Sequence, residues 1–394
     1  AKKWNSTDVA LILLTDTAEK RNWVDNGHKD DDGNVIEQTG LKSELEKMHL
    51  PIELKPIKNL PNGNNEEEIW SIFTSLYGRL EEGDELYFDL THGFRYLPML
   101  VLVMGNYAKF LKKVTVKSIT YGNYEGRNRN TNEALIVDLM PLTALQDWTF
   151  AAADFIENGN GKRLSKMASD FAKPILKETL GTDKAAKSLQ CFAKSLPNVT
   201  EDFQTCRGIN IINSTNISDL KCSLSQLETS LITPLNPVLE RISNELSAFS
   251  NVEDIKNGFE AVNWCIKKGL YQQAATILQE SIVSYICYRH NIPINSSKER
   301  EAVNNALHII YYDKEEDESS WIIKEENIEK VKELIRDDFL KTDGLAGNFL
   351  SLANSIRNDI NHAGMRENFM TSKRLEEKII EIFNFFYTLI EKQS

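Results

Sequence analysis

The run VALILL from Val9 to Leu14 is short, apolar and suited to extended chain, and it stops at the polar Thr15-Asp16-Thr17. That is the pattern of a buried strand with a polar end. A helix near Leu41 to Met48, a strand near Ile52 to Ile57 and a capped helix from Asn65 to Leu80 follow. The segment ELYFDL, Glu85 to Leu90, reads as a second strand running into Thr91-His92-Gly93, with a helix from Tyr96 to Leu111 after it. Val114 to Tyr121 and Ala134 to Leu139 supply two more strands. Residues Asn26 to Gly40, with the acidic Asp30-Asp31-Asp32-Gly33, read as a solvated loop or hairpin. Strands alternating with helices predict a mostly parallel sheet covered by helices on both faces.

Beyond Leu142 the pattern changes to amphipathic helical periodicity broken by Gly-, Pro- and Asn-rich turns. Asn158 to Gly161 and Asn210 to Asn216 read as connections, and Phe249 to Gly258 as the last boundary. The later helices are predicted around Glu325 to Phe339, Gly347 to Asn361 and Ser372 to Glu391. Gly269, Tyr271 and Ala274 form one G-x-Y-x-x-A unit with no second copy at a fixed period, which disfavours a solenoid. Three segments result: an α/β part over 1–143, a helical connector over 144–250 and an all-α part over 251–394.

Charge narrows the function. A formal net charge of -12 over 394 residues leaves no global basic field for long nucleic acid, so any such contact must be local. The five cysteines, Cys191, Cys206, Cys222, Cys265 and Cys287, are widely spaced and include no C-x-x-C pair. They frame neither disulfides nor a zinc knuckle and fit a reducing cytoplasm. The longest apolar stretch, Leu97 to Met104, contains Pro98 and is too short to cross a bilayer, so no membrane partner is expected.

In open parallel sheets ligands settle beyond the carboxyl ends of strands, where helix N-termini present free N–H groups. Thr15, Asp16 and Thr17 lie at one such end, Asp89 to Arg95 at another and Tyr121-Gly122-Asn123 at a third. Taken alone, Thr91, His92 and Gly93 read equally well as a helix cap, a structural histidine and a turn. The string DLTHGFRYLPML at Asp89 to Leu100, however, resembles the D-x-T-H-G signature of CARF domains. Tyr121-Gly122, the Val137 to Leu139 strand and the following Leu142, Leu145 and Trp148 resemble the same family's continuation into its helical part. The resemblance implies a Rossmann-like α/β fold that binds a cyclic oligoadenylate across a homodimer, with Thr15, Thr17, Thr91, His92, Gly93 and Arg95 at the ligand. Members of that family open with a further strand and a glycine-rich turn, whereas eight residues precede Val9, so a longer natural start is expected.

The second cluster is Arg357-Asn358-Asp359-Ile360-Asn361-His362. At about 100° per residue, Arg357, Asn361, Asn358 and His362 fall on one polar arc while Ile360 points away. A histidine can move a proton at a 2'-hydroxyl or a leaving 5'-oxygen, and an arginine can hold the phosphate. Spacing alone favours a solvated helix end, with His362 answering the helix dipole. Placed near the end of an all-helical region, the string resembles the R-x4-6-H motif of HEPN ribonucleases. That resemblance implies that Arg357 and His362 are catalytic, with Asn358 and Asn361 as polar helpers, in a site completed by a second copy of the chain. No metal-ligand spacing accompanies it, so neither a metal nor another cofactor is expected.

Together the resemblances imply a cytoplasmic, homodimeric endoribonuclease that cuts single-stranded RNA without metal, leaving 2',3'-cyclic phosphate and 5'-hydroxyl ends. A cyclic oligoadenylate from type III CRISPR defence would be its allosteric activator. A CARF-type DNA-binding regulator would need a basic recognition helix, which the sequence lacks. A dimeric sensor without nuclease activity, or one that degrades its own ligand, stays open. His28, His49, His290 and His308 read as structural.

Overall fold

The computed structural model describes residues 4–25, 27–30, 32–93, 96–227, 236–365 and 367–392. The chain divides into two compact units, Ala1–Thr143 and Ala144–Ser394.

In the first unit the elements run β1 (Val9–Thr15), a single turn α1 (Asp16–Ala18), a π-helical turn over Glu19–Trp23, β2 (His28–Lys29), β3 (Val35–Ile36), α2 (Leu41–Lys47), β4 (Glu53–Leu60), α3 (Glu66–Tyr77), β5 (Glu85–Asp89), α4 (Leu97–Lys112), β6 (Thr115–Gly122) and β7 (Ile136–Asp138). β1 pairs with β4 in parallel, β5 with β6 in parallel, and β7 returns antiparallel on β6. The single sheet expected from the alternating pattern is therefore expressed as two small ones, β1-β4 and β5-β6-β7, with no strand ladder joining them among the described residues. Side chains bridge the gap instead. Phe88 of β5 packs both on the cluster of Ile57, Ile72, Leu76, Leu100 and Met104 and on that of Leu90, Val101 and Ile119. The hairpin β2-β3 carries the acidic run, where Asp30 Oδ1 accepts the backbone N–H of Asp32 (3.1 Å) and Asn34 (2.8 Å), an Asx turn rather than a binding site. Asp31 lies outside the described residues.

The second unit is helical: α5 (Met140–Asn158, whose first turn belongs to the first unit), α6 (Lys162–Glu178), α7 (Lys184–Gln204), α8 (Gly208–Asn213), α9 (Thr215–Leu227), α10 (Asn236–Glu245), α11 (Asn257–Lys267), α12 (Tyr271–Arg289), α13 (Ser297–Tyr311), α14 (Ile328–Leu334), α15 (Leu345–Leu350), α16 (Arg357–Asn361) and α17 (Ser372–Glu391). One apolar core runs from Trp148 through Phe155, Phe192, Phe203, Phe259 and Phe349 to Ile390, so residues 144–250 and 251–394 share their buried surface. No described helix is long and apolar enough to cross a membrane.

Two predicted elements differ. The connection expected at Asn210 to Asn216 is helix α8 followed by the start of α9, broken at Ser214, whose φ is 59°. Burial of Ile211 and Ile212 drives that helix, and the carboxylate of Asp202 holds both flanking amides, Asn210 Nδ2 at 2.8 Å and Asn216 Nδ2 at 2.6 Å. The helix predicted from Glu325 to Phe339 shrinks to a 3-10 turn and the two turns of α14, with Val331, Leu334, Ile335 and Phe339 all reaching the core.

Candidate functional site

The polar end of β1 turns directly into α1. Thr15 is buried, and its hydroxyl accepts the backbone N–H of Ala18 at 3.2 Å, capping the turn. The chain then winds into the π turn Glu19–Trp23, anchored by buried Trp23. π turns are rare and gather at functional sites. Here the turn places Arg21 and Asn22 beside Thr15 and Thr17 on the wall of a cavity of about 390 Å³. Its far side carries His92, Tyr96 and Leu97. Tyr96 is seated by its hydroxyl, which donates to the Asn62 carbonyl at 3.1 Å, and by Gly63, whose φ of 77° and closeness to the ring leave no room for a Cβ. Burial of the phenol, with the charge of Glu68 nearby, pushes its pKa up. A cavity with a guanidinium, an imidazole and hydroxyls around it suits an anionic, hydrogen-bonding ligand.

Thr91 stands apart from that wall. Its hydroxyl donates to Asp89 Oδ1 at 2.5 Å and accepts the Gly122 backbone N–H at 2.9 Å, locking the end of β5 to the end of β6. The closeness requires glycine at 122, since a Cβ there would lie 2.9 Å from Thr91 Cγ2 and 3.0 Å from its Oγ1. Gly122→Ala is therefore expected to push the two strand ends apart and cost about 1–3 kcal/mol. A chemical denaturation midpoint indistinguishable from that of the parent chain would dismiss the lock.

Gly93 does not adopt the left-handed conformation expected of a turn glycine. What it supplies is room, because a Cβ would sit 3.1 Å from Leu97 Cδ1. Arg95 lies outside the described residues.

In the helical unit a second π turn, Ser351–Ile356, leads into α16. Arg357 is half-buried. Its Nη1 donates to Oε1 of Gln279 on α12 at 3.1 Å, while its Nε is buried with no hydrogen-bond partner among the described residues. Asn358, Asn361 and His362 are exposed, with His362 closing the helix through its backbone N–H to the Asn358 carbonyl at 3.0 Å. Ala363 and Gly364 then turn the chain with φ of 52° and 66°. Buried Asp359 accepts the Met370 backbone N–H through Oδ2 at 3.0 Å, clipping the segment after the motif to the helix before it. Within one chain, then, Arg357 is turned toward α12 while the asparagines and the imidazole face outward. Phase explains this: the π turn resets the helix just before Arg357, and α16 ends at His362.

Residues 5–125 match the family described as the CARF domain of the CRISPR system endoribonuclease Csx1. The N-terminal unit is a CARF domain. A curated relative, CRISPR-associated protein MJ1674 of Methanocaldococcus jannaschii, is 25% identical over 254 residues, 64% of this chain and 37% of that protein. The chain thus spans well under half the length of the relative it matches.

Of the CARF residues singled out in the sequence, Thr15, Thr17 and His92 share one cavity, while Thr91 and Gly93 hold the scaffold around it. Arg21, Asn22 and Tyr96 were missed. The four-residue step from Thr17 to Arg21 was the available signal, since it puts both on one face of a turn. Gln279 was missed in the helical unit, where its only mark is a buried amide within an otherwise apolar stretch of α12. Two histidines also proved less isolated than they read. His290 Nε2 lies 2.9 Å from Asp337 Oδ2, and His308 packs at a tilt of 47° against Tyr312 with ring centroids 4.7 Å apart.

Proposed function

We propose that the chain is a cyclic-oligoadenylate-gated endoribonuclease of type III CRISPR defence, working as a homodimer and cutting single-stranded RNA without metal. The observation that carries this reading is the match of residues 5–125 to the CARF domain of a family described as an endoribonuclease, in a chain that continues into a helical unit bearing Arg357 and His362.

In this reading the ligand's adenylate phosphates meet Arg21 and His92, and its hydroxyls meet Thr17. The second copy docks on the exposed apolar stripe of α4, where Met99 is 72% exposed and Phe110 86%, with Val103 between them. The RNA 2'-hydroxyl attacks the adjacent phosphorus and the bond to the 5'-oxygen breaks, giving a 2',3'-cyclic phosphate and a 5'-hydroxyl. His362 of one copy takes the 2'-hydroxyl proton and the imidazole of the other returns one to the leaving oxygen. Arg357 answers the phosphate charge, its buried Nε being a donor without an acceptor in the single chain. Asn358 and Asn361 flank the reacting group from the exposed side of α16. Parking of Arg357 on Gln279 fits a resting state from which ligand binding releases it.

The test is RNA cleavage in EDTA with and without cyclic tetra-adenylate or hexa-adenylate. Strong stimulation by one ring size, with cyclic-phosphate products, is expected. Absence of cleavage with every ring size would sink the proposal.

A further inference from the structure

A second polar cleft, of about 450 Å³, opens in the helical unit and has Gln279, the residue that receives Arg357, in its wall. Its walls carry Gln279, Asn304, His308, Lys314, Trp321 and Asn354. Phe349 and Leu350 form an apolar floor. Trp321 is held in place by its indole N–H, which donates to the Lys314 carbonyl at 2.8 Å. His308 is steadied by a tilted ring contact with Tyr312.

This is the chemistry of a nucleobase site. Three amides offer donors and acceptors together, as the edge of a base requires, and an indole and an imidazole offer flat faces for stacking. The volume accommodates one nucleotide rather than a folded strand. Charge points the same way. Lys314 is flanked in sequence by Asp313 and by the run Glu315 to Glu318, a local field hostile to a tract of phosphates. Only part of that acidity is neutralised, Glu318 by Lys332 at 2.7 Å. Recognition here must therefore rest on the uncharged base.

We infer that this cleft reads one base of the RNA substrate and so sets the sequence preference of cleavage. Its role as a substrate subsite rests on the ribonuclease reading; its capacity to bind a base does not. Gln279 joins the two, because the amide that lines the cleft also receives the Arg357 guanidinium. A base that engages Gln279 competes for the oxygen holding Arg357.

The test uses the full chain with the four ribonucleosides as probes, followed by calorimetry, and in parallel the cut-site pattern on a randomised RNA pool. Asn304→Ala and His308→Ala serve as variants, because both side chains are exposed and neither anchors the fold. One base is expected to bind at least tenfold more tightly than the others, and each variant to lose that selectivity and flatten the cut-site bias. Equal binding of all four nucleosides, or selectivity and bias unchanged in both variants, would overturn the assignment even if RNA is cut. Selective nucleoside binding that the variants abolish, in a chain that cuts no RNA, would uphold the base site and sink the ribonuclease reading instead.

Discussion

His362→Ala is expected to slow activated RNA cleavage by about 10²–10⁴-fold, the usual cost of losing a positioned proton-transfer group. Arg357→Ala is expected to do the same through lost phosphate stabilisation, and Arg357→Lys to recover only part, since an ammonium cannot present the planar fork of a guanidinium. The quantity to measure is the single-turnover rate at saturating cyclic oligoadenylate, with ligand affinity determined separately. Affinity should stay at the parent value, because both residues belong to the helical unit and the proposed ligand cavity to the N-terminal unit. His362 is exposed, so its replacement reports on chemistry more than on stability. A rate within twofold of the parent for His362→Ala would remove the imidazole from the mechanism.

The largest stability effect is expected at Lys268. Its ammonium is 5% exposed, lies 2.5 Å from Glu245 Oε2, whose side chain is 19% exposed, and also donates to the Ile156 carbonyl. One cation thereby ties α5 and α10 to the end of α11, across the segments 144–250 and 251–394. Removing one partner of a buried ion pair strands the other charge away from water, so Lys268→Ala should cost about 3–5 kcal/mol. Replacing both, as Lys268→Met with Glu245→Leu, should return most of that loss, because the stranded carboxylate is gone and apolar volume is kept. Urea unfolding of the two variants makes the comparison. A midpoint for Lys268→Ala close to the parent value, or a double variant no better than the single one, would show that the pair holds nothing together.

Much of the fold was legible because its signals are local. β1 is an apolar run, β5 has an apolar centre, β4 and β6 mix apolar and polar positions, and α3 announces itself with Asn65, whose side chain accepts the Glu68 N–H at 2.9 Å. The change to helical periodicity after Leu142 coincides with the division between the two compact units. Pairing between strands is not local, and there the reading fell short. Alternation predicts one sheet, but whether β1 and β5 form a ladder depends on how α3 and α4 pack beneath them, and Phe88 fills the junction with side-chain contact instead.

The sequence by itself determined which residue types gather at strand ends and helix ends: Thr15 and Thr17 after β1, His92 after β5, and Arg357 to His362 on and just after one short helix. Within each string the spacing is short enough for backbone geometry alone to keep the residues close. Tertiary structure decided the rest. It assigned Thr91 to the Gly122 lock, brought Arg21 to the cavity wall through a π turn, set His92 and Tyr96 on the same cavity from another part of the chain, and placed the Arg357 guanidinium on Gln279, 78 residues away in the chain. A side chain's partner depends on which distant surface burial places against it, and no local periodicity encodes that choice.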